Sequence, residues 1–120
     1  MSHKYQYILL YVTDLERSVA FYRDKLDFAF GEYQDKVAML SFGSANIILH
    51  LNEEKDFVAN PKKGQGVLIG FGVDDVDAYH AQVVQNGVAV LQAPKDEPWG
   101  DRDMALYDPD GYELWFSQTK

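Results

Sequence analysis

Two stretches of the chain repeat one pattern of apolar positions. The first reads YILLYVTDL at residues 7–15, and the second reads LIGFGVDDV at residues 68–76. Each is an apolar run that ends in Val-x-Asp followed by Leu or Val, so Val12 corresponds to Val73. Such a run predicts a buried strand, and the polar residues after it are typical of a helix start. The chain is therefore predicted to contain two copies of one unit.

A helix is predicted after each of these strands. Thr13 and Glu16 have the spacing of a capping box, which predicts that the first helix begins at Thr13. The second helix is expected to begin at Asp74 or Asp75 and to end at Asn86-Gly87, because both of these residues tolerate a left-handed conformation. Residues at helical spacing predict the buried stripes: Leu15, Val19, Tyr22 and Leu26 in the first helix, and Val76, Tyr79 and Val83 in the second, with Val84 as a further candidate.

Three strands are predicted after each helix. In the first half they cover residues 28–33, 36–42 and 45–51, and in the second half residues 88–91, 102–107 and 112–117. A turn is expected at Gly43-Ser44, and its counterpart is the DPDG sequence at residues 108–111. The fold class is thus α+β, a single domain of two βαβββ modules at residues 5–52 and 67–118. Residues 53–66 read as the linker.

The βαβββ unit used twice resembles the vicinal oxygen chelate superfamily, which includes glyoxalase I, extradiol dioxygenases and bleomycin-resistance proteins. The resemblance rests on VTDLERSVAFY at residues 12–22 and on WGDRDMALYDPDG at residues 99–111. The second segment is most similar to the bleomycin-resistance branch. The resemblance implies a curved, cup-shaped mixed sheet, with the ligand in the concave face and the helices on the convex face.

Alternation along the strands then assigns side chains to the two faces. Residues expected to face the cup are Tyr5, Tyr7, Leu9, Tyr11, Asn46, Ile48, His50, Leu68, Gly70, Gly72, Glu113, Trp115 and Ser117. Their neighbours in sequence, such as Leu10, Val12, Leu114 and Phe116, are expected to face the helices. Trp99 lies in a segment, residues 92–100, that is expected to form a loop over the cup.

Metal-using relatives place a His or Glu ligand on the first and last strand of each module. In this sequence those positions hold Tyr7, Leu68, Trp115 and either Ile48 or, with a shifted register, His50. A catalytic divalent ion of this kind needs about three protein ligands. We therefore expect no metal and no other cofactor. A displaced divalent-metal site on His50 and Glu113 remains the alternative.

Composition narrows the choice of partner. The formal charge is −8, which disfavours nucleic acid and suits a cationic ligand. Aromatic residues make up 14% of the chain, and cysteine is absent. No apolar run approaches the ~20 residues of a membrane span, and the first residues do not resemble a signal peptide, so a cytoplasmic protein of bacterial type is expected.

The sequence thus predicts a metal-free protein that binds a small aromatic, heteroaromatic or cationic molecule, with antibiotic sequestration as one use. A homodimer is expected, and exchange of the first strand is one way to build it. The alternative is a metal-dependent lyase or dioxygenase, and an interaction module without a small ligand is a third reading. No catalytic residue is assigned. The expected ligand-binding residues are Tyr5, Tyr7, His50, Trp99, Arg102, Glu113 and Trp115.

Overall fold

A computed structural model describes residues 1–119 and divides the chain into two compact units, Met1–Ala59 and Asn60 onward. Each unit holds one four-stranded sheet. The strands are β1 (Ile8–Val12), β2 (Ala29–Gln34), β3 (Val37–Phe42), β4 (Ala45–Leu51), β5 (Leu68–Gly72), β6 (Val90–Asp96), β7 (Asp101–Tyr107) and β8 (Glu113–Thr119). The helices are α1 (Leu15–Ala20), α2 (Lys55–Ala59) and α3 (Val76–Gln85), and a π-helical turn, Phe21–Lys25, continues α1.

The sheet of unit 1, called sheet 1, has the strand order β1-β4-β3-β2. β1 runs parallel to β4, so that Leu9 lies opposite Ile48 and Tyr11 lies opposite His50. The other two pairs are antiparallel. Since β1 and β4 are parallel, the chain needs a long connection between them, and α1 forms part of it.

The sheet of unit 2, called sheet 2, repeats this plan with the order β5-β8-β7-β6. β5 runs parallel to β8, so that Gly70 lies opposite Trp115, and the β8–β7 and β7–β6 pairs are antiparallel. Both units are therefore βαβββ modules with mixed sheets, which confirms the predicted α+β fold class.

One face of each sheet packs against the helix of its own unit. The largest fully buried side chains of unit 1 lie on α1, on the π-helical turn, at the C-cap that follows it, and on strands β1 and β4. They are Val12, Val19, Tyr22, Leu26, Ile47 and Leu49. Those of unit 2 are Val76, Val83, Met104, Leu106, Leu114 and Phe116. The predicted stripes are confirmed at most positions, but Val84 is half exposed.

The helix starts differ in one place from the prediction. The N-cap of α1 is Asp14, whose side chain accepts a hydrogen bond from the Arg17 backbone N–H at 3.0 Å, and not Thr13. The Thr13 hydroxyl instead accepts from the Arg17 guanidinium at 2.8 Å. In α3 the N-cap is Asp75, as predicted, and its carboxylate accepts from the Ala78 N–H. Asp at these positions satisfies a backbone donor that the helix itself leaves unpaired.

Two segments expected to be irregular contain regular structure. β6 continues to Asp96 through Pro94, whereas the prediction ended it at residue 91. Proline is tolerated there because β6 is an edge strand, where one side needs no backbone donor. α2 lies within the predicted linker. The 108–111 turn forms as predicted: the Asp108 carboxylate accepts from the N–H groups of Asp110 and Tyr112, and Gly111 has a φ of 90°.

Candidate functional site

The face of sheet 1 that points away from α1 carries exposed aromatic and aliphatic side chains. On β1 and the residue before it, Tyr7, Leu9 and Tyr11 are 50%, 36% and 47% exposed, whereas Leu10 and Val12 on the other face are almost completely buried. This alternation confirms the predicted assignment of the two faces. Ile48 and His50, their neighbours on β4, are partly buried. Sheet 1 therefore presents a half-exposed surface that is mostly apolar.

The N-terminal segment continues this surface beyond β1. The Tyr5 hydroxyl lies 3.5 Å from the Asn46 carbonyl oxygen, and the Asn46 side chain donates to the Gln6 carbonyl at 3.0 Å. A cavity of about 340 Å³ lies here, with Tyr5, Tyr7 and Ile48 among its lining residues. Two of the predicted site residues, Tyr5 and Tyr7, thus lie at one cavity of unit 1.

His50 lies at the other end of the same face. Its Nδ1 is 2.8 Å from the Leu51 carbonyl oxygen, and its ring contacts Tyr11 edge-on with a centroid separation of 5.6 Å. Because a carbonyl oxygen only accepts, Nδ1 carries the hydrogen, and Nε2 is the acceptor of the neutral ring. A cavity of about 690 Å³ lies beside it, with Tyr11, Lys36, Glu53 and Glu54 in its lining.

The corresponding face of sheet 2 is built around Trp115. The indole Nε1–H donates to the Glu113 carboxylate at 2.6 Å, so the two predicted residues contact each other. Opposite Trp115 on β5 stands Gly70, and a Cβ added to Gly70 or Gly72 would meet nothing within 4 Å. The indole is therefore held in one orientation beside open space.

Sequence reasoning did not find a polar cluster on the same face. Gln92 donates through its side-chain amide to the Glu97 carboxylate at 3.1 Å and to the Asp103 carbonyl at 3.2 Å. Glu97 is 8% exposed and Asp103 is 2% exposed. Within residues 1–119, the Oδ1 atom of Asp103 is buried and has no hydrogen-bond partner. The alternation of side chains along β7 could have indicated this cluster, because it places Asp103 and Ala105 on the same face of sheet 2 as Trp115.

Arg102, one of the expected ligand-binding residues, pairs with two carboxylates of its own unit. Its guanidinium donates two hydrogen bonds of 2.9 Å to Asp77 on α3 and one of 3.3 Å to Asp96 on β6. The hydrogen bonds from Arg102 hold the pKa of Asp77 below its ordinary value, and those to Asp77 and Asp96 raise the pKa of Arg102. Arg102 thus ties three elements of unit 2 together.

Trp99 lies in a tight turn and not in a long loop. The turn joins β6 to β7 and is closed by hydrogen bonds from the Glu97 N–H to the Asp101 carbonyl and from the Gly100 N–H to the Glu97 carbonyl. Trp99 lies at the tip of this turn and is 62% exposed. The turn leaves Glu97 buried and Trp99 in solvent two residues away.

Comparisons with known proteins give the family. Residues 4–116 match the family model described as Glyoxalase/Bleomycin resistance protein/Dioxygenase superfamily. The chain belongs to this superfamily. Virulence protein STM3117 of Salmonella typhimurium is a relative, 25% identical over 118 residues that cover 93% of this chain and 81% of the relative.

Several solved structures share the fold of this chain. Hypothetical protein SA1046 from S. aureus is 27% identical, with a TM-score of 0.78 over 98% of this chain and 95% of that one. TioX from Micromonospora sp. ML1 is 21% identical, with a TM-score of 0.80 over 98% and 100% of the two chains. A glyoxalase/bleomycin resistance protein/dioxygenase from Nocardioides is 19% identical, with a TM-score of 0.79 over 99% and 85%.

At the positions where the resemblance implies metal ligands, the residues do not fit a metal ion. Leu68 and Ile48 have no donor atoms, the indole nitrogen of Trp115 carries a hydrogen that is given to Glu113, and only Tyr7 offers an oxygen. Among residues 1–119, no group of three or more His, Cys, Asp or Glu side chains is arranged to hold an ion. His50 lies in unit 1 and Glu113 in unit 2, and each already has a partner in its own unit.

The described part of the chain contains no helix that is both long enough and apolar enough to span a membrane.

Proposed function

We propose that this superfamily member binds a small aromatic or cationic organic molecule without a metal ion and without breaking a bond in it. The observation that carries the proposal is the fixed orientation of Trp115 beside Gly70. The hydrogen bond to Glu113 orients the indole for stacking, and a glycine on the neighbouring strand leaves room for a flat ring next to it. Aromatic stacking of this kind contributes about 0.5–1.5 kcal/mol beyond the area it buries.

Charge supports the same choice of ligand. The protein has a net charge of −8, and the Trp115 face carries the carboxylates Glu113, Glu97 and Asp103. An aromatic face attracts a cation through its quadrupole, and nearby carboxylates add to this attraction. A planar cation therefore suits this surface better than a planar anion does.

Calorimetry with matched variants tests the proposal. A thermal-shift screen of aromatic and cationic compounds supplies hits, since a ligand that binds only the folded state raises the melting temperature by mass action. We expect Trp115→Ala to weaken binding of the hits strongly, and Trp115→Phe, which keeps an aromatic ring but loses the hydrogen bond to Glu113, to weaken it less. Tyr33→Ala is the control, because Tyr33 is an exposed aromatic residue on β2 of the other unit. A screen without hits, or hits that bind Trp115→Ala normally, would contradict the proposal.

We also propose that the protein is a homodimer, with exchange of the first strand as one way to form it. The support is the half-exposed row of Tyr5, Tyr7, Leu9 and Tyr11 along and before β1, which is an edge strand. Light scattering at micromolar concentration should give twice the chain mass of 13.7 kDa. A mass of one chain would contradict the dimer.

Sequestration of an antibiotic is the biological use that we propose for such binding. Expression of the protein in a sensitive bacterium should raise the inhibitory concentration of a bound drug, and the drug should be recovered chemically unchanged from the complex. Bleomycin is the first probe, because the family description includes bleomycin resistance. A modified drug would indicate catalysis instead.

The alternative function is a metal-dependent lyase or dioxygenase with a displaced site at His50 and Glu113. The Nδ1 hydrogen bond of His50 leaves Nε2 as the coordinating atom, which is the arrangement that metal-bound histidines adopt. Elemental analysis decides between the functions. A stoichiometric divalent metal that is lost in both His50→Ala and Glu113→Ala would support the enzyme and overturn the metal-free proposal.

A further inference from the structure

We infer that the cluster formed by Gln92, Glu97 and Asp103 binds the protonated amino group of the ligand whose ring stacks on Trp115. This inference rests on the proposed function and specifies its ligand as an arylalkylamine, a flat ring joined to an ammonium group by a short chain. The cluster lies entirely within unit 2, on strands β6 and β7 and the turn between them.

Gln92 cannot serve both acids of the cluster. One side-chain amide nitrogen makes both of its contacts, one to the Glu97 carboxylate and the other to the Asp103 backbone carbonyl. Its two hydrogens are therefore used, and neither reaches the Asp103 carboxylate. Among residues 1–119, Asp103 Oδ1 has no donor, although it is buried.

A structural role explains Glu97 but not Asp103. The Gln92–Glu97 contact joins the end of β6 to the turn that follows it, and this alone could account for the burial of Glu97. An unpaired buried carboxylate oxygen, by contrast, is strongly unfavourable without a donor. Such groups are rare in native proteins, and a functional role or a bound ion is among the reasons for their retention.

The neighbouring cations do not supply that donor. Arg102 gives its hydrogen bonds to Asp77 and Asp96. Lys95 lies opposite Asp103 in the β6–β7 register, but its side chain is exposed and forms no ion pair with either acid in the described chain. In the described chain the Glu97 carboxylate is thus paired only with a neutral amide, and the Asp103 carboxylate has no positive partner.

The spacing to Trp115 sets the size of the ligand. Ala105 on β7 lies opposite Trp115 on β8, and Asp103 lies two residues away from Ala105 along β7. One strand spacing of about 4.8 Å and two residues of roughly 3.4 Å each place the Cα atoms of Asp103 and Trp115 about 8 Å apart. A ring on the indole and an ammonium group on a short chain fit a separation of this order, since the two side chains cover part of it. An ammonium group has three hydrogens, enough for the Asp103 oxygen and the Glu97 carboxylate.

Three probes with one indole ring test the inference by calorimetry at pH 7 with EDTA present. Tryptamine is a cation, N-acetyltryptamine is neutral, and indole-3-propionate is an anion. We expect tryptamine to bind at least about tenfold more tightly than N-acetyltryptamine and indole-3-propionate to bind most weakly, because a hydrogen-bonded charge pair contributes that much.

Variants separate this inference from the proposed function. Asp103→Asn and Glu97→Gln should each remove most of the preference for tryptamine and leave the affinity for N-acetyltryptamine within about twofold. Asp74→Asn, which removes the same charge from an exposed residue of unit 2, should keep the preference. The use of two variants guards against misfolding of either one, and circular dichroism checks both.

The outcomes are distinct. Equal affinity of the wild type for tryptamine and N-acetyltryptamine, or a preference that survives both Asp103→Asn and Glu97→Gln, overturns the ammonium site and leaves aromatic binding intact. Failure of all three probes to bind overturns the ammonium site together with the proposed aromatic surface for this class of ring.

Discussion

The two units have one topology but different chemistry on their open sheet faces. In unit 1 the row before and along β1 is Tyr5, Tyr7, Leu9 and Tyr11, and the polar groups are few. In unit 2 the equivalent strand β5 has Gly70 and Gly72, and the neighbouring strands carry a fixed indole and buried carboxyl groups. The shared topology thus accounts for the fold. The side chains on the open face of each sheet determine what that face can bind. This difference is why we propose the ligand site for unit 2 and the dimer contact for unit 1.

The largest expected effect concerns the buried core positions that the two units share. Ile47 and Leu114 occupy equivalent positions on β4 and β8, and both are almost completely buried. Replacing either one with alanine should reduce the free energy of unfolding by about 2–5 kcal/mol, through lost burial and a residual cavity. Urea unfolding of the two variants measures this. A cost below 1 kcal/mol in one unit only would show that the scaffolds are not equivalent.

The next largest effect concerns ligand affinity, in which we expect the open faces of the two units to differ. Trp115→Ala should weaken binding of an aromatic ligand by about 2 kcal/mol or more, since buried Trp residues dominate binding energies. Tyr7→Ala, on the open face of unit 1, should change the affinity of the same ligand by less than about 0.5 kcal/mol. Calorimetry with one ligand compares the two. Equal losses would remove the distinction between a binding face and a contact face.

Each unit also has one buried polar side-chain atom without a partner among residues 1–119, Ser18 Oγ in α1 and Asp103 Oδ1 in β7. Without ligand, Asp103→Asn should raise the free energy of unfolding by about 1 kcal/mol, because it removes an uncompensated buried charge. Ser18→Ala should raise it by roughly 0.5 kcal/mol, since the hydroxyl is neutral and alanine favours a helix. A fall in stability for Asp103→Asn would show that the carboxylate is already satisfied.

The smallest expected effect is a difference between two ion pairs in how much each contributes to stability. In unit 2, Arg102 joins Asp77 across elements, whereas in unit 1 Arg23 contacts its sequence neighbour Asp24 at 2.8 Å. The pKa of Asp77 is lowered in the folded state by Arg102, so its contribution to stability is present above its ordinary value of 3.8 and is lost as the pH falls through the folded value. Asp77→Asn should therefore be slightly less stable than the wild type at pH 7, and the difference should disappear near pH 2.

Asp24→Asn is the matched control for this pair. Adjacent residues also meet in the unfolded chain, and surface ion pairs contribute little, so we expect no change in melting temperature at either pH. A pH-dependent loss in Asp24→Asn equal to that in Asp77→Asn would contradict the assignment of the effect to the link between elements.

Much of this molecule was predictable because local rules agreed with the fold. The alternation of Tyr7, Leu9 and Tyr11 with Leu10 and Val12 predicted both faces of sheet 1. The repeat of Val-x-Asp predicted the two modules. Here propensity, periodicity and turn chemistry all indicate the same structure.

The remaining features depend on contacts between distant residues or on competing local signals. Arg102 has acidic residues on both sides in sequence, and only the packing of α3 on sheet 2 brings Asp77 to it. At α1, Thr13 and Asp14 are both good N-cap residues, and Asp14 takes the role. The burial of Glu97 follows from the turn that reverses β6 into β7, a segment that was predicted to form a loop over the cup.

The most direct test of the central claim is an NMR titration of ¹⁵N-labelled protein with tryptamine in the presence of EDTA. If the open face of sheet 2 binds an aromatic amine without metal, the indole N–H resonance of Trp115 shifts in a saturable way, whereas in Asp103→Asn it shifts only at much higher tryptamine concentration. A Trp115 resonance that does not move, or that moves only after a divalent metal is added, would contradict the claim.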